Sequence, residues 1–198
     1  MLTSHVEQDD KDLPPLKSKL KKKAYKNCVS FNLRPFAYQI LGVDLYEIQN
    51  ISHNTVLSVL SMVGSGINKF PTSKHFVSWL RLAPNNKISG GRIICNRTPK
   101  GKNQLSIALR QAANTIGNSK THFLKGFFSK IAFRKGRGAA ITATARKLAV
   151  IIYNMIMKKE PYNPVLLSAT SIKNNKIQHI KKAIKRLNLS ESEMATLF

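Results

Sequence analysis

Residues 84–101, PNNKISGGRIICNRTPKG, interrupt a chain whose apolar residues otherwise recur at helical spacing. Proline, asparagine and glycine punctuate this stretch, and Ile88, Ile93 and Ile94 supply an apolar cluster sufficient for a short β-ribbon. On both sides, apolar residues return three and four positions apart, as on the buried face of a helix. The expected fold class is therefore mainly α: a compact helical domain interrupted by one glycine-rich loop.

Upstream of the loop, Leu33, Phe36, Ala37, Ile40 and Leu41 mark a first helix beginning near Phe31. Asp44-Leu-Tyr-Glu47 has capping-box spacing and predicts a short second helix. Ser52 is placed to cap a third, with Val56, Leu57, Val59, Leu60 and Val63 on its buried side and Gly64-Ser-Gly66 at its end. Thr72 or Ser73 caps a fourth, which carries Phe76, Trp79 and Leu80 and stops before Pro84. Downstream, Leu105, Ala108, Leu109, Ala112, Ala113 and Ile116 define a helix. Gly117-Asn118 and the block Phe123, Leu124, Phe127, Phe128, Ile131 follow. A long helix spans about 139–158, with Ile141, Ala145, Leu148, Ile152, Met155 and Ile156 as core positions. Residues 31–162 thus form the domain. Residues 1–30 are an acidic lead ending in Pro14-Pro15, then a basic run from Lys17 to Lys26. The run reads equally as a solvated linker or as an arm on a phosphate backbone. Residues 163–198 form a basic tail with an amphipathic helix on Ile177, Ile180, Ile184 and Leu187.

The 198 residues carry 33 Lys and Arg against 9 Asp and Glu, a formal net charge of +24. An excess of that size calls for a polyanion, by default nucleic acid. The distribution says more than the sum. No carboxylate lies between Ile48 and Lys159, where nineteen Lys and Arg do. A two-metal nuclease, a glycosidase pair and a Ser-His-Asp triad all need acids that this stretch lacks, although His53, His75 and His122 are present. The five histidines never pair at zinc-ligand spacing and read as helix surface or as satisfied, partly buried rings. Cys28 and Cys95 make neither a disulfide framework nor a metal site, and there is no phosphate-loop or dinucleotide glycine fingerprint. The polar, acidic start is the reverse of a secretory signal. The most apolar stretch, Leu148 to Met157, is about half the ~20 residues a membrane helix needs, so a soluble intracellular protein without a membrane partner is expected. Chemistry in the middle of the chain is left to a hydroxyl nucleophile, cations and backbone donors, or to metal supplied from elsewhere.

Two segments suggest sites. Leu45 to Gly66 has the layout of a helix-hairpin-helix, in which hairpin glycines let backbone N–H groups approach a phosphate. Here Asn50 and Ser52 stand where glycines are usual, and asparagine tolerates a left-handed backbone. The same pattern also fits an ordinary helical turn in a core. Ser89-Gly90-Gly91 is, by composition alone, a flexible turn.

The run His75-Phe-Val-Ser-Trp-Leu-Arg-Leu-Ala-Pro-Asn-Asn-Lys-Ile-Ser89-Gly-Gly-Arg92 resembles the C-terminal domain of insertion-sequence transposases that pair a RuvC-like DEDD nuclease domain with a serine-bearing transposase domain. That family includes the bridge-RNA-guided recombinases, with the pilin-inversion recombinases as relatives. The resemblance continues through Asn96-Arg97-Thr98, Lys102-Asn103, Ala108-Leu109-Arg110 and Ala112-Ala113, then through residues 139–145 and Lys147-Leu148-Ala149. It covers about residues 32–162. It implies that Ser89 is the nucleophile of DNA strand transfer, that Gly90 and Gly91 support the active loop, and that Lys87, Arg92, Arg97, Lys100, Lys102 and Arg110, with Asn50 and Ser52, contact nucleic acid. It further implies that the chain alone binds no cofactor, because Mg²⁺ is held by acids of the upstream nuclease domain. DNA, a guide RNA, that nuclease domain and further copies of the chain are the implied partners, in the cytoplasm of a bacterium or archaeon, on the nucleoid. The chain then corresponds to the C-terminal portion of a transposase, left by truncation, frameshift or gene decay. Arg81 departs from the family, whose members usually carry a small residue before Leu82-Ala83-Pro84. Readings from other classes are a non-catalytic nucleic-acid-binding remnant or regulator of transposition, and a structural RNA-binding protein of ribosomal type.

Overall fold

The computed structural model describes residues 31–95, 97–101 and 103–163, with positions 13 and 177 alone outside them. The acidic lead, the lysine run, the amphipathic tail, Asn96 and Lys102 lie outside the described residues. The chain divides after Tyr162 into two units, and the elements below all belong to the first. In chain order they are α1 (Leu33–Leu41), a 3-10 turn (Leu45–Glu47), α2 (His53–Met62), a second 3-10 turn (Gly66–Lys69), α3 (Ser73–Trp79), strands β1 (Lys87–Ser89) and β2 (Arg92–Cys95), α4 (Gln104–Asn118), α5 (Lys125–Lys135) and α6 (Arg137–Lys158). The architecture is mainly helical, with one two-stranded sheet.

The helix starts follow side-chain chemistry. Asn32, Ser52, Thr72 and Asn103 each accept a backbone N–H from the first turn of α1, α2, α3 and α4, respectively, satisfying donors that would otherwise be orphaned. Gly42 ends α1 in the left-handed region at φ 68°. The expected helix at Asp44–Glu47 is a single 3-10 turn instead. Asp44 does cap Tyr46 (N to Oδ1 3.0 Å). The Glu47 carboxylate, however, accepts from the Tyr162 amide at 2.8 Å, 115 residues away, rather than reaching back to Asp44. Without that reciprocal bond the capping box is not closed, and the helix extends no further.

α6 is the spine. Ala140, Thr144, Ala145, Leu148, Ala149, Ile151, Ile152, Tyr153, Met155 and Ile156 are buried along it, and it packs against α3, α4, α5 and the second 3-10 turn. At 22 residues it is long and apolar enough to cross a membrane, yet 56% of its apolar window is buried within the domain, as in a central core helix. It begins at Arg137, two residues earlier than the apolar spacing suggests, because Gly136 and Arg137 turn directly out of α5. At the other end Lys159 adopts φ 56° and its ammonium donates to Leu41 O at 2.6 Å, closing the end of α1.

Leu148 is fully buried in this core while Ile88 is 63% exposed. Leu148→Ala should lower unfolding stability by about 2–5 kcal/mol, the range for a buried leucine that leaves a cavity, and Ile88→Ala by less than about 0.5 kcal/mol. Urea denaturation of the two variants checks this; equal losses would show that the ribbon shares the core.

Candidate nucleic-acid interface

The glycine-rich loop stands on two anchored helices. Before it, Phe76 is fully buried at the centre of an aromatic cluster, with ring centroids 5.2 Å from Phe70, 6.1 Å from Trp79 and 5.8 Å from Tyr153. The Tyr153 hydroxyl donates to Phe70 O at 2.7 Å, tying α6 to the approach of α3. Leu80 and Leu82 are then both buried, and Arg81 between them turns outward at φ 57°. A left-handed conformation costs a side-chain-bearing residue roughly 1–2 kcal/mol, which burial of the two flanking leucines offsets. Arg81 is nonetheless accommodated: it is exposed, and its guanidinium donates to Lys100 O and lies over Gly101, where any side chain would collide with it. After the loop, Asn103 caps α4.

Between these anchors β1 and β2 pair antiparallel, with Ser89 opposite Arg92, Ile88 opposite Ile93 and Lys87 opposite Cys95, and with a bulge beside Lys87. Gly90 at φ 54° and Gly91 at φ 72° make the two-residue turn. Two successive positive φ values define the hairpin turn whose twist matches the strands, and glycine supplies them without strain. A Cβ at either glycine would meet nothing within 4 Å. Asn85 N donates to Arg97 O at 3.0 Å and closes the base. Ser89, Gly90, Gly91 and Arg92 are all exposed. Strand alternation sets Lys87 on the same side as Ser89. The short ribbon expected from Ile88, Ile93 and Ile94 forms, yet Ile88 is 63% and Ile94 70% exposed, because among the described residues no second layer packs over them.

The remaining candidates are dispersed. Arg97 and Lys100 are exposed on the segment leaving β2. Arg110 lies on α4, half-buried, and its Nε is buried without a hydrogen-bond partner. Asn50 and Ser52 belong to the turn before α2. Asn50 does adopt the left-handed backbone at φ 68°. Ser52 is engaged in its own helix, accepting from Thr55 N at 3.4 Å and lying 3.1 Å from the Thr55 hydroxyl. No hydrogen bond joins this turn to the ribbon among the described residues. What holds the turn is His122. Its Nδ1 accepts from Leu124 N at 3.0 Å, so the proton is on Nε2, which donates to Gln49 O at 3.1 Å. The ring is therefore a satisfied, buried, neutral imidazole that braces the turn against the α4–α5 corner.

Cations in this acid-poor domain find neutral partners. Arg137 donates from Nη2 to the side-chain oxygens of Asn114 and Asn118 at 2.7 Å each. Lys147 sits 3.9 Å above the Phe127 ring, and burial lowers its pKa. Lys125 donates to Gly117 O. The described carboxylates are Asp44, Glu47 and Glu160. Asp44 is in an ion pair with Arg34, at 2.6 Å from Nη2 and 2.9 Å from Nε, and Glu47 is bonded to Tyr162 N. Among the described residues no three His, Cys, Asp or Glu side chains come together to hold a metal ion, and these donors do not fit Mg²⁺.

Residues 44–126 match the model of the transposase IS116/IS110/IS902 family. The matched segment contains α2, α3, the ribbon and α4, and every candidate residue from Asn50 to Arg110 falls within it. The similarity supports a role in transposition, with DNA as the partner that such a role implies. No curated protein and no solved structure matches the chain.

Burial lowers the pKa of His122 below its ordinary value, against a smaller opposing effect of its bond to Gln49. The folded state therefore binds fewer protons than the unfolded one. Its stability contribution is complete above the unfolded value of about 6.5 and is lost as pH falls through the lower folded pKa. The urea midpoint should drop on acidification below about pH 6.5, and His122→Gln should flatten that drop. An equally steep drop in the variant would remove His122 as its source.

Proposed function

We propose that this chain is the DNA-binding, strand-transferring part of a transposition complex, with Ser89 as its nucleophile. The observation that carries the reading is the setting of that hydroxyl: exposed at a ribbon tip, opposite Arg92, and beside two glycines whose bare backbone leaves room for a bulky phosphodiester. In the reaction, Ser89 Oγ attacks a DNA phosphorus in line. The Oγ–P bond forms, the bond from phosphorus to a deoxyribose oxygen breaks, the hydroxyl proton is released, and the departing oxygen takes up a proton. The phosphoserine ester keeps the number of phosphate ester bonds constant, so a hydroxyl on another strand can reverse the attack and free Ser89 without ATP. Arg92, with Lys87, Arg97, Lys100 and Lys102 along the same segment, offsets charge on the phosphorus and its neighbours.

Asp44 and Glu47 are engaged in the fold, and under this reading a companion nuclease module activates the serine. A guide RNA and further copies of the chain complete the complex under this reading, and Asn50 with Ser52 adds backbone contacts at a second place on the DNA.

In a complex reconstituted with an intact companion domain, wild-type chain should yield a covalent protein–DNA adduct at Ser89. Ser89→Ala should abolish the adduct while leaving DNA affinity unchanged. Undiminished adduct from Ser89→Ala would remove the residue from the mechanism. A wild-type chain that forms no adduct and inhibits an intact relative on co-expression would replace this reading with that of a non-catalytic regulator.

A further inference from the structure

The corner between α5 and α6 carries a surface that the reaction at Ser89 does not use, and it lies beyond the segment matched to the transposase family. Phe133 there is 94% exposed, the highest value among the large hydrophobic side chains described. Lys130, one turn earlier on α5, shares its face by helical spacing, and Arg134 and Lys135 follow Phe133 directly at the end of the helix; all three are exposed. The corner is braced. Gly136 turns the chain at φ 84° with its amide bonded to Ala132 O at 2.9 Å. Arg137 clamps the start of α6 to Asn114 and Asn118 of α4 and lies 5.8 Å from the Phe128 ring. Phe128 in turn fills the space over Gly117 so closely that a Cβ there would have no room. The exposed ring is thus held on a fixed support.

An aromatic ring left in water among cations, in a stretch without a carboxylate, suits a partner that is both polyanionic and planar-faced. A perfectly paired duplex offers phosphates but hides its base faces; strands opened for exchange offer both. We propose that Phe133 stacks on an unpaired DNA base while Lys130, Arg134 and Lys135 hold the flanking phosphates, so that the corner grips the opened strand during exchange. This rests on the reading that the chain handles DNA in strand exchange.

The test titrates the full chain against 2-aminopurine probes in single-stranded DNA, in a duplex where that base is bulged, and in a perfect duplex, with single-stranded RNA and phosphatidylserine vesicles as further arms. Wild type should quench the first two probes. Phe133→Ala should weaken binding to them by roughly 5- to 100-fold, the range of one base–aromatic stack, leave the perfect duplex nearly unchanged, and be rescued by Phe133→Trp. If Phe133→Ala binds unpaired DNA as tightly as wild type while duplex binding persists, the corner has no such role and the proposed function stands. Tighter binding to RNA or to vesicles than to unpaired DNA overturns the assignment to DNA. Failure of the wild-type chain to bind any DNA would instead remove the proposed function.

Discussion

Positive charge without a local counter-charge is the constraint that organises this domain. Across residues 48–159 there is no carboxylate to neutralise the nineteen Lys and Arg, so the fold tolerates mutual repulsion that a mixed surface would not have. It does so in two ways. Some cations are held at the surface by neutral partners: Arg137 by two asparagines, Lys159 by the last carbonyl of α1, Lys147 by an aromatic face. The others, including Lys87, Arg92, Arg97 and Lys100, are left exposed around the ribbon. The two carboxylates at the domain's entrance are placed where they close it, Asp44 onto Arg34 and Glu47 onto the amide that follows α6.

Rigidity and exposure are divided accordingly. α6, with its buried face from Ala140 to Ile156, fixes the relative positions of α3, α4 and α5. The ribbon and the α5–α6 corner project from that frame and bury little of their own apolar surface. Each is stiffened by means other than core packing: the ribbon by its two-glycine turn, the Asn85–Arg97 bond and the Arg81 tether, the corner by the Arg137 clamp. A hydroxyl on such a tip is reachable by a macromolecule in a way that one inside a cleft is not.

Much of this was legible in the amino-acid sequence, and the parts that were not share a cause. Helix positions followed from apolar spacing and from the caps Ser52 and Thr72, which act over three residues; the Asn103 cap of α4 appears only in the fold. The ribbon followed from Gly90-Gly91 between short apolar runs, and the left-handed Asn50 from the tolerance of asparagine for that backbone. What escaped depends on distant partners. Nothing near Glu47 says that its carboxylate will bond an amide 115 residues on. The left-handed turn at Arg81 is set by two leucines competing for one core, and arginine does not advertise it. Ile88 and Ile94 look like core by composition and are exposed because no second layer lies beneath them. Phe133 lies just past the apolar block that ends at Ile131, and only the fold shows that its ring is left in solvent.

Whether the exposed cations meet phosphates decides what this domain does. Measuring the affinity of the full chain for duplex DNA across a series of salt concentrations tests this directly, since each neutralised phosphate releases close to one counterion. With roughly five cations engaged, the logarithm of the association constant should fall against the logarithm of salt with a slope of about −4 to −5. A slope near zero, with affinity retained at high salt, would contradict it.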